Sequence, residues 1–125
     1  MKNGFLKVAV TTPDLRVADC EYNKNQMVEK VKKMAGEKVS LVCFPEFSLT
    51  GYTCGDLFLH DTLVEGAKDA LAAYCEETKS YEIVSVVGLP LDHNGKLYNV
   101  AAVIYGGKIL GFVPKSYLPN YSEFY

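Results

Sequence analysis

Apolar residues recur along this chain with two different periods, one of two residues and one of three to four. Residues 6–11 read as a first strand, with Val8 and Val10 on one side, and Thr12-Pro13-Asp14 breaks it. Between 23 and 35, Met27, Val28, Val31, Met34 and Ala35 return at helical steps with lysines and a glutamate between them. That pattern predicts an amphipathic helix stopped near Gly36. Residues 39–44 are apolar at nearly every position, which suits a short strand covered on both faces, and Pro45 limits its ladder. Thr62-Leu63-Val64-Glu65 has capping-box spacing and opens a second helix, whose apolar stripe is Leu63, Ala67, Ala70, Leu71 and Tyr74. A third strand covers 81–89. Residues 98–105 and 108–113 flank Gly106-Gly107, a two-residue turn that accepts the positive backbone angles of a tight hairpin.

Strand, helix, strand, helix, strand and then a hairpin is the order of an α/β layer fold, with helices packed on a sheet that becomes mixed after its third strand. At 125 residues and 49% hydrophobic content, the chain has enough apolar material for one core and too little for two. No repeat or linker-like stretch interrupts it. The hairpin strands, if they lie at an edge, expose backbone groups that favour self-association.

Charge narrows the choice of partner. With 13 basic and 15 acidic residues spread evenly, and a net charge of -2, there is no basic block to neutralise phosphates, so no nucleic-acid partner is expected. No apolar run reaches the roughly 18–20 residues of a membrane span, and the first residues lack the apolar length of a signal peptide. A soluble, cytoplasmic protein is expected. Cys20, Cys43, Cys54 and Cys75 form no CxxC pair and have no histidine at ligand spacing, so reduced thiols and no metal site are expected. Cys43 and Cys75 read as small core hydrophobes. His60 and His93 fall in polar, loop-like contexts.

Two segments carry candidate chemistry. In Phe44-Pro45-Glu46-Phe47-Ser48-Leu49-Thr50-Gly51-Tyr52 a carboxylate follows a strand between aromatic residues. Such surroundings desolvate it and suit a general base; a strand-end glutamate in a salt bridge is the alternative. In Gly111-Phe112-Val113-Pro114-Lys115 a lysine follows a strand, as either a catalytic cation or a guard of an exposed strand end.

Together these segments resemble the nitrilase, or carbon-nitrogen hydrolase, superfamily, whose members use a Glu, Lys and Cys triad. Phe44-Pro45-Glu46 is similar to the motif of the family's base, and Gly111-Phe112-Val113-Pro114-Lys115 to that of its lysine. Glu123 matches a second glutamate that helps hold the lysine and substrate. Two longer strings, 49–58 and 115–125, resemble the glutaminase domains that feed ammonia to NAD+ synthetase domains. The likeness runs over the whole chain.

The resemblance implies the first part of a nitrilase-like α-β-β-α sandwich, with residues 1–125 as the N-terminal part of a glutaminase domain. It implies that the nucleophilic cysteine and the synthetase domain both lie beyond this segment, which is then inactive by itself. Glu46 is the implied general base, Lys115 the cation for the oxyanion, and Glu123 the residue that holds Lys115. Tyr52 and Tyr121 are implied to line the substrate pocket, with ordinary aromatic packing as the alternative. L-glutamine is the implied substrate. No cofactor belongs to this segment, ATP and Mg2+ serving the downstream synthetase domain, and a symmetric homo-oligomer is expected. A free-standing nitrilase-type amidase or carbamoyl hydrolase, and a non-catalytic assembly domain, are the competing readings. Alternation along a strand directs Cys43 away from Glu46 unless the strand end bends sharply. Cys54, in a loop without a neighbouring cation, is the weaker alternative nucleophile.

Overall fold

A computed structural model describes residues 4–51 and 61–115. In chain order its elements are β1 (Val8–Val10), α1 (Cys20–Gly36), β2 (Leu41–Cys43), α2 (Asp61–Thr78), β3 (Val84–His93), β4 (Lys96–Tyr105) and β5 (Lys108–Pro114). One mixed sheet in the order β1-β2-β3-β4-β5 holds all five strands, parallel from β1 to β3 and antiparallel from β3 to β5. Both parallel crossovers step the same way along the sheet. Right-handed connections of that kind place both helices on one face, and α1 and α2 do share one core with the strands.

That core follows the apolar stripes. Met27 and Val31 of α1 and Leu63, Ala67, Ala70, Leu71 and Tyr74 of α2 are buried against Val42, Val87, Leu89, Val100, Ala102 and Ile104 of the sheet. Lys24 and Glu77 tie the helices together by an ion pair of 2.6 Å whose lysine is largely buried. Strand residues of the opposite parity face away from the helices. Among them Val8 and Val10 are exposed and Cys43, Val84, Val86, Ala101 and Val103 half-buried. The described residues thus form one helical layer and one sheet layer.

Several boundaries differ from those read in the sequence. Helix α1 starts earlier, at Cys20, because the Asp19 carboxylate accepts a hydrogen bond from the Tyr22 backbone N–H at 3.1 Å and caps it. The third strand is shifted and longer, Val84–His93 rather than 81–89, and β4 starts at Lys96 rather than at 98. The two form a hairpin closed by Asn94-Gly95, whose φ angles of 51° and 76° are both positive. His93 is accordingly the last residue of β3 and pairs with Lys96. Pro90 is tolerated inside β3 because the backbone groups of 84, 86 and 88 point toward β2, so the missing N–H at 90 lies on the side away from β4.

Candidate active site

The segment after β2 turns sharply. Phe47 has φ 53°, and Thr50 and Gly51 both donate backbone hydrogen bonds to the Phe47 carbonyl, at 3.0 and 2.7 Å. The turn lies directly on β3: Leu49 N donates to the Gly88 carbonyl at 3.1 Å, and Gly88 N donates to Ser48 Oγ at 3.0 Å. Helix α1 holds the same turn from the other side. Fully buried Asn23 donates to the Leu49 carbonyl at 3.0 Å and to the Arg16 carbonyl at 2.7 Å, and accepts from Arg16 N at 2.6 Å. Phe44, Phe47, Ser48, Leu49 and Thr50 are all buried. A strained but heavily bonded turn of this kind offers its one outward side chain, Glu46, from a fixed platform.

Lys115 arrives from the far side of the sheet. Strand β5 runs antiparallel to β4, which runs antiparallel to β3, so β5 points the same way as β2 and both end at one edge. The Lys115 backbone N–H donates to the Asn99 carbonyl at 2.9 Å, which extends the β4–β5 ladder one residue past Pro114. Its ammonium donates to Glu46 Oε1 at 2.9 Å. Two charged groups separated by most of the chain are thereby in direct contact.

Both line a cavity of about 270 Å³ shared with Cys43, Phe44, Pro45, Val86, Gly88, Asn99, Val100, Ala101, Val113 and Pro114. It is small, largely apolar and furnished with few polar groups, as small-molecule sites are. Two expectations need correction here. The Glu46 side chain is 43% exposed rather than desolvated, because the flanking phenylalanines turn into the core instead of onto the carboxylate. Cys43 does not face away from Glu46 and is not a core residue: the bend at Pro45 to Phe47 carries Glu46 to the Cys43 side of the sheet, and both line the cavity. The Cys75 thiol is buried as expected, and burial raises its pKa. Tyr52, Cys54, His60, Tyr121 and Glu123 lie outside the described residues. No helix among the described residues is long and apolar enough to cross a membrane.

Two residues of the site had not been picked out in the sequence. Gly88 permits the Glu46 turn to lie on β3, and Asn99 is among the residues that line the cavity. The only trace of Asn99 is a polar amide at the start of an otherwise apolar strand pattern.

Known proteins resemble this chain along nearly its whole length. The family model described as carbon-nitrogen hydrolase matches residues 7–124. A glutamine-dependent NAD(+) synthetase of Mycobacterium tuberculosis is 39% identical over 124 residues, which is 99% of this chain and 18% of that protein. The structure of a glutamine-dependent NAD+ synthetase from Acinetobacter baumannii superposes with a TM-score of 0.85 at 32% identity, covering 93% of this chain and 22% of that one. An amidase from Nesterenkonia sp. shares the fold, with a TM-score of 0.79 at 17% identity over 99% of this chain and 48% of its own. The chain spans about a fifth of the length of the curated relatives it matches.

Proposed function

Because the chain belongs to the carbon-nitrogen hydrolase family, we propose that it supplies the general base and the cation of a site that hydrolyses L-glutamine to glutamate and ammonia. In this reading it is the first part of the glutaminase domain of a glutamine-dependent NAD+ synthetase. The observation that carries the proposal is the 2.9 Å contact between Lys115 Nζ and Glu46 Oε1 in the wall of a small cavity. The names of the relatives, matched over nearly the whole of this chain, support the choice of glutamine.

Glu46 takes the proton of a cysteine thiol contributed from beyond these 125 residues, and the sulfur adds to the carboxamide carbon. The same carboxylic acid then returns the proton to the departing nitrogen, so ammonia leaves and a thioester remains. Glu46 next takes a proton from water, hydroxide adds to the thioester carbon, and the thiol leaves with its proton restored. One carboxylate serves both halves only if it is held near both reacting positions, and the tethered turn holds it there. Lys115 stays cationic and stabilises the oxyanion of each tetrahedral intermediate. The family resemblance assigns Glu123 the task of keeping Lys115 charged and Tyr52 and Tyr121 that of contacting the substrate; all three lie outside the described residues.

The ammonia passes to a synthetase domain that amidates deamido-NAD+. When bound there, ATP would supply the energy of that amidation and Mg2+ would neutralise its phosphates. This chain's contribution is the carboxylate and the ammonium that line its cavity.

Replacing Glu46 by Gln in the full-length protein tests the reading. Glutamine-dependent NAD+ formation should fall by about a thousandfold or more, while synthesis from added ammonia is retained. Loss of both activities would make Glu46 a structural residue.

A further inference from the structure

Helix α1 carries one polar amide in the stripe that faces the core. Its buried residues are Cys20, Asn23, Lys24, Met27 and Val31, and Asn23 is fully buried. Burying an amide is unfavourable unless its two donors and its acceptor oxygen find partners. Here all three do, and none of these bonds serves the helix that bears the side chain. Oδ1 accepts from Arg16 N at 2.6 Å, and Nδ2 donates to the Arg16 carbonyl at 2.7 Å and to the Leu49 carbonyl at 3.0 Å. The two Arg16 bonds hold the loop between β1 and α1. The Leu49 bond reaches the turn that carries Glu46.

That turn is one unit held between two supports. Thr50 N and Gly51 N both bond the Phe47 carbonyl, which closes residues 47–51 into a single piece. On the β3 side the piece is pinned at Ser48 and Leu49, both bonded to the Gly88 backbone. On the other side it is pinned by Asn23 at the Leu49 carbonyl and by Ala18 N at the Thr50 carbonyl, 2.7 Å away. Ala18 lies two residues past Arg16, whose backbone Asn23 grips, so both bonds on this side depend on one side chain. Gly51, at φ 83°, lets the loop approach closely: a Cβ there would lie 3.1 Å from Val17 Cα. Without Asn23 the piece keeps its β3 pins and loses its second support, which frees it to pivot about Gly88. Glu46 adjoins it, so a pivot shifts the carboxylate relative to Lys115, whose backbone is held separately by the ladder with β4.

We infer that Asn23 is a positioning residue for the general base: it touches no substrate and acts by fixing the turn that aims Glu46. The inference rests on the amidase reading and deepens it, by placing a determinant of the rate in a helix that contributes none of the residues lining the cavity. A base misplaced by about 1 Å loses up to about a hundredfold in rate, because the proton it takes and returns must lie within hydrogen-bond reach in both halves of the reaction. Substrate binding does not depend on that alignment, so the effect falls on kcat and not on KM. The place requires asparagine. Aspartate has the same shape and accepts from Arg16 N, but it offers no donor and sets a charge against two carbonyl oxygens; leucine fills the space and bonds neither segment.

Asn23→Asp, Asn23→Ser and Tyr74→Phe are compared with wild type in the full-length protein. Asn23→Asp loses both donors, and Asn23→Ser leaves room for a water to take over part of the bonding. Tyr74→Phe removes a buried hydrogen bond from the same core away from the turn, and so controls for a general loss of stability. Ammonia release from L-glutamine and from a panel of simple primary carboxamides is followed well below the Tm of each variant. In both Asn23 variants kcat should fall about tenfold to a hundredfold, with KM changed by less than about threefold, while Tyr74→Phe keeps both constants. An unchanged kcat in every Asn23 variant that folds, a KM that rises in step with the fall in kcat, an equal loss in Tyr74→Phe, or failure of both Asn23 variants to fold overturns the inference and leaves the amidase reading standing. If wild type spares L-glutamine and hydrolyses another carboxamide, the glutamine assignment fails and the same comparison on that amide decides the inference. Hydrolysis of none of these amides by wild type overturns both.

Discussion

A Cβ built on Gly88 would lie 2.5 Å from the Phe47 nitrogen and 2.7 Å from the Pro45 carbonyl oxygen, both of them backbone atoms that cannot swing aside. The Glu46 turn rests on this bare stretch of β3, so Gly88→Ala must lift the turn or break its bonds to Gly88. We expect a loss of about 1–3 kcal/mol in stability from such overpacking, and a displaced Glu46 side chain. Denaturant melts measure the first, and glutamine turnover in the full-length protein the second; an unchanged melt would mean that the turn does not bear on Gly88. In the sequence Gly88 is simply a glycine inside an apolar run. Glu46 and Lys115, by contrast, were legible because each follows a strand and sits in a distinctive string, whereas the direction of Cys43 was misjudged. Alternation along a strand predicts side-chain direction only while the strand lasts, and β2 ends at Cys43.

At the scale of elements, α2 is fastened to β3 by a buried hydrogen bond from the Tyr74 hydroxyl to Ser85 Oγ at 2.6 Å. Tyr74→Phe leaves Ser85 buried without that partner and should cost about 1–3 kcal/mol, measurable by denaturant titration. Burial raises the pKa of both the Tyr74 phenol and the adjacent Cys75 thiol. The sign follows from linkage: the folded state keeps these protons where the unfolded chain releases them, so their contribution is complete below the ordinary thiol value of 9.0 and is lost as pH rises above it. Melting temperature should therefore fall between pH 9 and 10.5, and less steeply in Cys75→Ala; equal slopes would mean that the thiol is not coupled to folding. The helices and strands were largely visible from their periodicity, because each buries one face against the same core. The β3–β4 hairpin was not read, although Asn94-Gly95 is a strong turn signal, because the polar residues around it resemble a loop until the sheet pairs them.

Over the whole molecule, the sheet face opposite the helices and the β5 edge carry exposed apolar side chains: Val10 is 82% exposed, Leu110 64% and Val113 59%. An edge strand with apolar residues on both sides templates further strand pairing. The 125-residue chain should accordingly gain mass with concentration in sedimentation experiments, and Leu110→Lys should reduce this. A monodisperse monomer at high concentration would show that the edge is harmless.

Taken alone, the sequence determined the elements, their order and the identity of the two charged residues, since periodicity and short motifs depend only on neighbours along the chain. Only the tertiary structure decided that Glu46 and Lys115 meet. Their contact depends on two strand reversals that bring the ends of β2 and β5 to one edge, and on a bend over Gly88 that no local pattern encodes.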